Sequence, residues 1–188
     1  MLFALIEKGG RHSEFERLIH HLMPILSIFV FTALALIIHE LGHLTAARKV
    51  NVAASELGLG MGPKLCGFRL GKIAFNLRLL PLGSFVRLDG TALAARSVQQ
   101  QLLVHLGGII FNLIAAVAAR GTMFGWVNLI VAAGNLLPIY KHDGWKCGVV
   151  IVRALLQKKS KPVEWVFTSS GCLVSLIVMN GVVQMVRG

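Results

Sequence analysis

The most constraining feature of this sequence is an apolar segment, Leu22 to Ala47, that is long enough to cross a lipid bilayer as a helix. Pro24 falls in its expected first turn, and Arg48 and Lys49 follow it at once and mark its end. Hydrophobic residues make up 55% of the chain, and the mean hydropathy is +0.73. Soluble domains have an apolar share of roughly 45–50%. The sequence therefore predicts a membrane protein.

Three further segments are apolar enough to be spans: residues 102–119, 123–137 and 163–186. The middle one is short and is interrupted by Asn135 and Pro138. A broken helix is tolerated at membrane depth only where protein or a water-filled cavity surrounds it.

Residues 55–88 contain too many glycines for a helix. Apolar and polar residues alternate between Lys72 and Leu79, which predicts an amphipathic β-hairpin that turns near Gly71. Its apolar face is expected to enter the membrane interface or to cover a site, although an ordinary surface hairpin would show the same pattern. We therefore expect an all-α polytopic membrane protein with about four transmembrane helices and a membrane-associated β-hairpin between the first and the second. An N-terminal surface segment, residues 1–21, precedes this core.

The formal net charge of +11 comes from basic residues that lie in two main segments. Eight lie between Arg48 and Arg96 and six between Lys141 and Lys161, while only Arg120 lies in the connection between them. The positive-inside rule places both segments in the cytoplasm and Arg120 on the far side. Basic loops beside spans explain the charge, so we expect no nucleic-acid partner.

Three ionisable residues, His39, Glu40 and His43, lie inside the first apolar segment as the sequence HELGH. Positions i and i+4 share a helix face, so the two imidazoles can reach one point with Glu40 beside it. In the H-E-x-x-H arrangement, neutral imidazoles hold zinc and the Glu accepts a proton from water. Burying such groups in an apolar helix is costly and indicates a functional site. Simple pairing with neighbouring helices is the alternative, but it would not require this spacing.

A hydrolytic zinc needs a third protein ligand and one open position for water. Asp143 is preferred, because Pro138 ends the preceding helix and Gly144 frees the local backbone. His142 is the competing ligand, since spacing alone does not exclude it. Asn135 could steady a substrate carbonyl, or it could cap the carbonyls of its own broken helix.

Gly107, Gly108 and Asn112 mark the second span. Small residues let helices approach each other and an Asn can bridge them, so we interpret these positions as packing rather than catalysis. His105 is expected at the membrane interface rather than as a ligand.

Four separated motifs resemble the site-2 protease family of intramembrane zinc metalloproteases. They are HELGH, GLGMGPKLCGF with LRLLPLGSFV, RSVQQQLLVHLGGIIFN, and NLLPIYKHDG. The resemblance implies that His39, His43 and Asp143 bind Zn²⁺ and that Glu40 is the general base or acid. It also implies that Asn135 contributes to substrate binding.

The resemblance further implies that residues 22–188 form an intramembrane metalloprotease core. Such a core would hydrolyse peptide bonds of transmembrane substrate proteins within the lipid bilayer, as in regulated intramembrane proteolysis. The expected location is a bacterial cytoplasmic membrane, with the active site toward the cytoplasmic side. Only residues 120–122 join the second and third spans, where many relatives carry PDZ domains, so the chain resembles a minimal form without one.

The sequence departs from the family pattern at three places. Ile109 follows Gly108 where the family usually has Pro, Ser84 stands where it has a second Gly, and Trp145 follows Gly144 where it has Gly. None of these changes removes an expected ligand, but Trp145 is expected to alter access to the metal.

Two other functions fit parts of the pattern. A zinc-binding membrane scaffold without protease activity would use the same metal ligands but would not need Glu40. A transporter or channel could use the intramembrane His and Glu side chains as an ion path. The sequence lacks the inverted repeats that are typical of many transporters.

Overall fold

The structure is a computed structural model that describes residues 2–156 and 161–187. Within these ranges the elements, in chain order, are α1 Leu2–Lys49, β1 Ala54–Leu70, β2 Ile73–Leu88, α2 Gly90–Ala94, α3 Val98–Ala118, α4 Met123–Leu136, α5 Asp143–Leu156 and α6 Lys161–Arg187. Segments of α1, α3 and α6 are long and apolar enough to cross a membrane. The chain is therefore a mostly helical, multi-pass membrane protein with a small sheet between α1 and α3. The expected count of four spans is not confirmed, because α4 has 14 residues and a span needs about 20.

Helix α1 extends well beyond the predicted first span. It begins at Leu2, so Pro24 lies inside the helix rather than in its first turn. Its membrane-span candidate is Ile19–Lys49. Membrane helices tolerate an internal proline because neighbouring groups satisfy the freed carbonyl. Leu26 and other large apolar side chains of the early part of the span are exposed, whereas burial begins at Ala35.

Helices α1 and α3 meet with their backbones in direct contact. A Cβ atom added to Gly42 would collide with the carbonyl oxygen of Gly107, and one added to Gly107 would lie 2.6 Å from the carbonyl oxygen of Gly42. Asn112 is fully buried and donates from Nδ2 to the carbonyl oxygen of Ala35 at 2.9 Å. The prediction that Gly107 and Asn112 serve helix packing is confirmed, although Asn112 has a second contact that is described below.

The start of α3 and the end of α4 lie where capping residues and a proline in the sequence indicate them. Ser97 and Gln100 form a capping box at the start of α3. Helix α4 ends at Leu136, and Leu137 is extended with φ −62° and ψ 145°, as is usual for a residue before proline. Pro138 thus separates α4 from α5, which begins at Asp143.

The predicted hairpin is confirmed, and it is wider than a simple pair of strands. Strands β1 and β2 pair on either side of Gly71, whose φ of +60° suits a glycine at the turn. Both strands bend, so residues 56–59 lie between two stretches of β2, residues 74–77 and residues 84–87.

Glu56 links β1 to both stretches of β2. Its Oε1 accepts a hydrogen bond from Asn76 Nδ2 at 2.7 Å, and its Oε2 lies 3.4 Å from Arg87 Nη2. The hydrogen bond from Asn76 and the charges of Arg87 and Arg78 hold the pKa of Glu56 below its ordinary value, although partial burial opposes this shift. The ionised Glu56 therefore holds the bent sheet together.

The sheet packs on α1 beside the HELGH segment. Leu57 and Ile73 form a buried cluster with Leu44 of α1. The predicted apolar face of β2 is only partly buried, because Leu77 and Leu79 remain exposed beyond this cluster. The contact with Leu44 fixes the sheet over the part of α1 that carries the ionisable residues.

Candidate metal centre

Three buried side chains from two elements converge on one point. His39 Nε2 lies 2.9 Å from Asp143 Oδ2, His43 Nε2 lies 3.0 Å from the same oxygen, and the two Nε2 atoms are 3.1 Å apart. Helix α1 supplies both imidazoles from successive turns, and the first residue of α5 supplies the carboxylate. Within the described ranges, this trio is the one group of three His, Cys, Asp or Glu residues whose geometry could hold a metal ion.

The outer nitrogens of both imidazoles are held by oxygen acceptors. His39 Nδ1 lies 2.7 Å from Asn112 Oδ1, and His43 Nδ1 lies 2.7 Å from the carbonyl oxygen of Val104. Asn112 Nδ2 donates to Ala35 and Asn128, which identifies Oδ1 as the acceptor atom that faces His39. Each Nδ1 therefore carries the proton, and each Nε2 presents a lone pair to the shared point.

The electrostatics of this arrangement require a cation. Two imidazole lone pairs and one carboxylate oxygen face each other in a site where Asp143 is only 2% exposed. Acceptor atoms at such distances repel unless a proton or a metal ion lies between them. Ligand atoms around a tetrahedral zinc with bonds of about 2.0 Å lie about 3.3 Å apart. The observed separations are within a few tenths of an ångström of that value, and two His with one carboxylate is a donor set of catalytic zinc.

The other carboxylate oxygen of Asp143 has its own partner. Lys146 Nζ donates to Asp143 Oδ1 at 2.9 Å from one turn further along α5. Because the lysine occupies Oδ1, the orientation of the carboxylate is fixed and Oδ2 points toward the imidazoles. An outer partner of this kind is typical of carboxylates that hold metals.

Gly108 leaves the space that the two imidazoles occupy. A Cβ atom at this position would lie 2.6 Å from His39 Cε1 and 2.6 Å from His43 Nε2. The expectation that Gly108 serves only helix packing is therefore incomplete, because its missing side chain also makes room for the imidazoles.

Glu40 is buried next to the trio and contacts the sheet. It is 5% exposed, and Ser84 Oγ donates to its Oε1 at 2.7 Å. Through Ser84, strand β2 reaches the carboxylate that lies beside the two imidazoles.

Other residues singled out from the sequence lie outside the trio. His142 Nδ1 lies 3.0 Å from the carbonyl oxygen of Gly134, so this alternative ligand is directed at the end of α4. Asn135 Nδ2 donates to the carbonyl oxygen of Val131 in its own helix at 3.0 Å, and its role in substrate binding stays a prediction.

Trp145 packs against the loop before α5 and against α6, and its effect on access to the metal stays a prediction. Its ring lies edge to face with Tyr140, with centroids 5.1 Å apart, and it also lies against Gly171 of α6. Trp145 therefore contributes to the packing of α5, the preceding loop and α6.

As well as the backbone contact of Val104 with His43, sequence reasoning missed four contacts between side chains around the trio. They are made by Asn112 to His39, Asn128 to Asn112, Lys146 to Asp143, and Ser84 to Glu40. The two asparagines could have been found because they are polar residues in apolar helices at membrane depth. The lysine could have been found because residues three apart, such as Asp143 and Lys146, are neighbours on a helix. No local pattern indicated the contact of Ser84, since it depends on how the sheet folds over α1.

The fold and the site together define a multi-pass membrane protein with a buried group of side chains that could hold a metal ion. The sequence profile of peptidase family M50 matches residues 27–123, more than half of the chain. The chain therefore belongs to peptidase family M50, the family of the site-2 proteases. The match contains His39, Glu40 and His43 but ends before Asp143, so the place of Asp143 beside the imidazoles is known from the structure.

Three bacterial proteins are similar in sequence to part of this chain. The chain is 37% identical over 100 residues to a protein of Clostridium perfringens, covering 49% of this chain and 30% of that protein. It is 36% identical over 98 residues to a protein of Helicobacter pylori, and the match covers 45% of this chain and 28% of that protein. It is 28% identical over 150 residues to a protein of Chlamydia pneumoniae, and the match covers 58% of this chain and 24% of that protein. All three carry the provisional name of zinc metalloprotease, and the chain spans less than a third of the length of each.

Replacing Gly108 by Ala tests the fit of the imidazoles. The new Cβ must displace both rings, so we expect zinc affinity to fall about tenfold or more, with a loss of about 1–3 kcal/mol in the free energy of unfolding from overpacking. Gly134→Ala is the matched control, because no atom lies within 4 Å of its added Cβ. Zinc content and thermal unfolding of the purified variants measure both effects. Equal zinc affinity in the two variants would contradict the geometry.

Replacing Asn112 tests the orientation of His39. Asn112→Leu removes the acceptor from Nδ1, and we expect zinc affinity to fall by about 10–100-fold, as for other outer partners of ligating His. Asn112→Asp keeps the oxygen acceptor for His39 but loses the donor to Ala35 and Asn128, so it should bind zinc more tightly than the Leu variant although its free energy of unfolding falls. Competition with a zinc-binding dye measures the difference, and a Leu variant that binds zinc as tightly as the unchanged chain would rule out this role.

Proposed function

We propose that this chain is a zinc metalloendopeptidase that cleaves transmembrane substrate proteins within or at the edge of the membrane. The observation that carries the proposal is the convergence of His39, His43 and Asp143 at 2.9–3.1 Å, with their lone pairs directed at one point between apolar helices. Membership of family M50 and the names of its relatives support the same reaction class. Regulated intramembrane proteolysis is the process in which such an enzyme would act.

The proposed zinc ligands are His39 Nε2, His43 Nε2 and Asp143 Oδ2. A zinc ion held there would supply Lewis acidity, which polarises both a water molecule and the carbonyl group of a peptide bond. Asn112 and Val104 keep the imidazoles in the required tautomer through their Nδ1 protons. Lys146 keeps the carboxylate in place from its other oxygen.

Glu40 is the proposed general base and acid. Its carboxylate accepts a proton from the attacking water and later donates that proton to the leaving amine. Ser84 already donates to Oε1, so Oε2 is the oxygen left for the proton transfer. Ser84 is thus a positioning residue that holds the Glu40 carboxylate from the side of the sheet.

An apolar groove on the surface of the protein suits the side chains of a membrane-embedded substrate. The groove has a volume of about 210 Å³ and lies between α1 and the sheet. Its lining includes Ile37 and Leu41 of α1 and Leu57, Phe68 and Phe75 of the sheet. A substrate helix hides its carbonyls in i to i−4 hydrogen bonds, so it must unwind before cleavage. Strand addition to an exposed edge of the hairpin would hold the unwound segment extended.

The proposed setting is a bacterial cytoplasmic membrane with the active site on the cytoplasmic side. The basic residues that follow α1 and surround α5 support this orientation through the positive-inside rule. Helix α4 would complete a fourth, short crossing, and the exposed Leu65, Phe68 and Leu79 of the sheet would enter the membrane interface. Asn135, near the end of α4, is the proposed contact for a substrate carbonyl.

Replacing Glu40 by Gln separates the enzyme from a zinc-binding scaffold. Since the amide cannot accept the proton, we expect the cleavage rate to fall by about 10²–10⁴-fold while the zinc content stays unchanged. Asp143→Asn is the contrasting variant and should lose zinc and cleavage together. The assay combines metal analysis with cleavage of a single-span substrate in reconstituted vesicles. Full activity of the Gln variant would favour the scaffold.

A further inference from the structure

A second cavity lies next to the candidate metal centre, because its lining residue Lys146 contacts Asp143. It has a volume of about 230 Å³, is open on one side and is lined by α2, α3 and α5. We call it the α2–α3–α5 cavity. Its polar lining comes from Gln101 and His105 of α3 and from Lys146 and Arg153 of α5, with Trp145 beside them. The proposed proteolytic mechanism uses none of its space.

The hydrogen-bond donors of this cavity suit an anion. Lys146 and Arg153 line it, and no carboxylate is among its lining residues. Lys146 donates to Asp143 Oδ1, and Arg153 Nε donates to Glu164 Oε1 at 2.8 Å. An ammonium group has three donors and a guanidinium has five, so both side chains retain N–H groups for another acceptor. Charge-assisted bonds from such groups are well suited to phosphate oxygens.

The position of the cavity favours a lipid. Gln101 and His105 lie in the first turns of α3, the membrane-span candidate that begins at Val98, so the cavity is level with the boundary between membrane and water. The basic segments of the chain meet at this end. Basic pockets between membrane helices are a common form of headgroup site.

The surroundings of the cavity offer a place for acyl chains. Leu156 is exposed and lies three residues beyond Arg153, on the face of α5 that lines the cavity, and the neighbouring start of α6 exposes Trp165 and Val166. The cavity itself is smaller than the roughly 300–1,000 Å³ of sites for drug-sized ligands, which fits a headgroup phosphate better than a whole molecule.

We propose that the α2–α3–α5 cavity binds the phosphate of an anionic phospholipid, with Lys146 and Arg153 as its charged contacts and the acyl chains along α5 and α6. Because Lys146 also donates to Asp143, the lipid phosphate and the candidate metal centre share one ammonium group. The site does not depend on the proposed protease activity, and its test needs no substrate.

Trp145 provides a reporter for this test, since it lines the cavity and is one of three tryptophans. The full chain with Trp126→Phe and Trp165→Phe is placed in nanodiscs of phosphatidylcholine that contain increasing fractions of brominated phosphatidylglycerol or of brominated phosphatidylcholine. We expect the fraction of brominated phosphatidylglycerol that quenches half of the Trp145 fluorescence to be about fivefold lower than the corresponding fraction of brominated phosphatidylcholine. A factor of this size is what a single basic contact near a membrane supplies. Equal quenching by the two lipids would overturn the proposal.

A charge pair at Ala94 tests the cavity without touching the candidate metal ligands. Ala94 is exposed and lines the cavity from the end of α2. Ala94→Glu should abolish the preference for the anionic lipid, whereas Ala94→Lys should keep or increase it. Identical preferences in these two variants would contradict the site.

A second pair separates a local site from general attraction to a basic protein. Arg153→Gln should reduce the preference about fivefold, while Arg48→Gln removes the same charge from an exposed position outside the cavity and should leave it unchanged. Equal losses in the two variants would show that only net charge matters and would reject the site. Displacement of phosphatidylglycerol by millimolar inorganic phosphate would assign the cavity to a soluble anion and would overturn the lipid assignment.

Discussion

The structure depends on the repulsion among three electron-pair donors that are buried together between apolar helices. His39, His43 and Asp143 present acceptor atoms to one another at 2.9–3.1 Å, and a cation is needed to make that arrangement favourable. Each of the three also has a second atom held by a separate partner, from Asn112, Val104 and Lys146 respectively. These outer contacts prevent the side chains from turning away, so the site is prepared for an ion.

The rest of the fold brings these groups within reach of each other. Gly42 and Gly107 let the backbones of α1 and α3 touch, and Gly108 leaves room for the imidazoles on the same face. The break around Pro138 ends α4 and starts a new helix whose first residue is Asp143. The sheet then lies over α1, where Ser84 meets Glu40. The close contact of α1 with α3 and the break before α5 therefore bring the three candidate ligands together, and the sheet adds the contact with Glu40.

Much of this arrangement follows from local sequence rules. The spacing of His39 and His43 fixes both on one helix face, the alternation around Gly71 gives the hairpin, and Pro138 gives the break before Asp143. Contacts between distant segments could not be predicted in the same way. The acceptor for His39 is Asn112 of α3, and from the sequence alone helix packing is a sufficient explanation for an asparagine at that position. The bends that place residues 56–59 between two stretches of β2 depend on tertiary packing. The length of α1 was also missed, because Pro24 was interpreted as the start of a helix and not as an interior residue.

A basic cavity adjoins the centre, because Lys146 belongs both to that cavity and to the surroundings of Asp143. The central claim is that one divalent ion is held by two imidazoles and one carboxylate. X-ray absorption spectroscopy of the purified, zinc-loaded chain tests it most directly. The account predicts two imidazole nitrogens and at least one oxygen at about 2.0–2.2 Å, with one imidazole missing in a His43→Ala variant. A zinc environment that His43→Ala and Asp143→Asn both leave unchanged would contradict it.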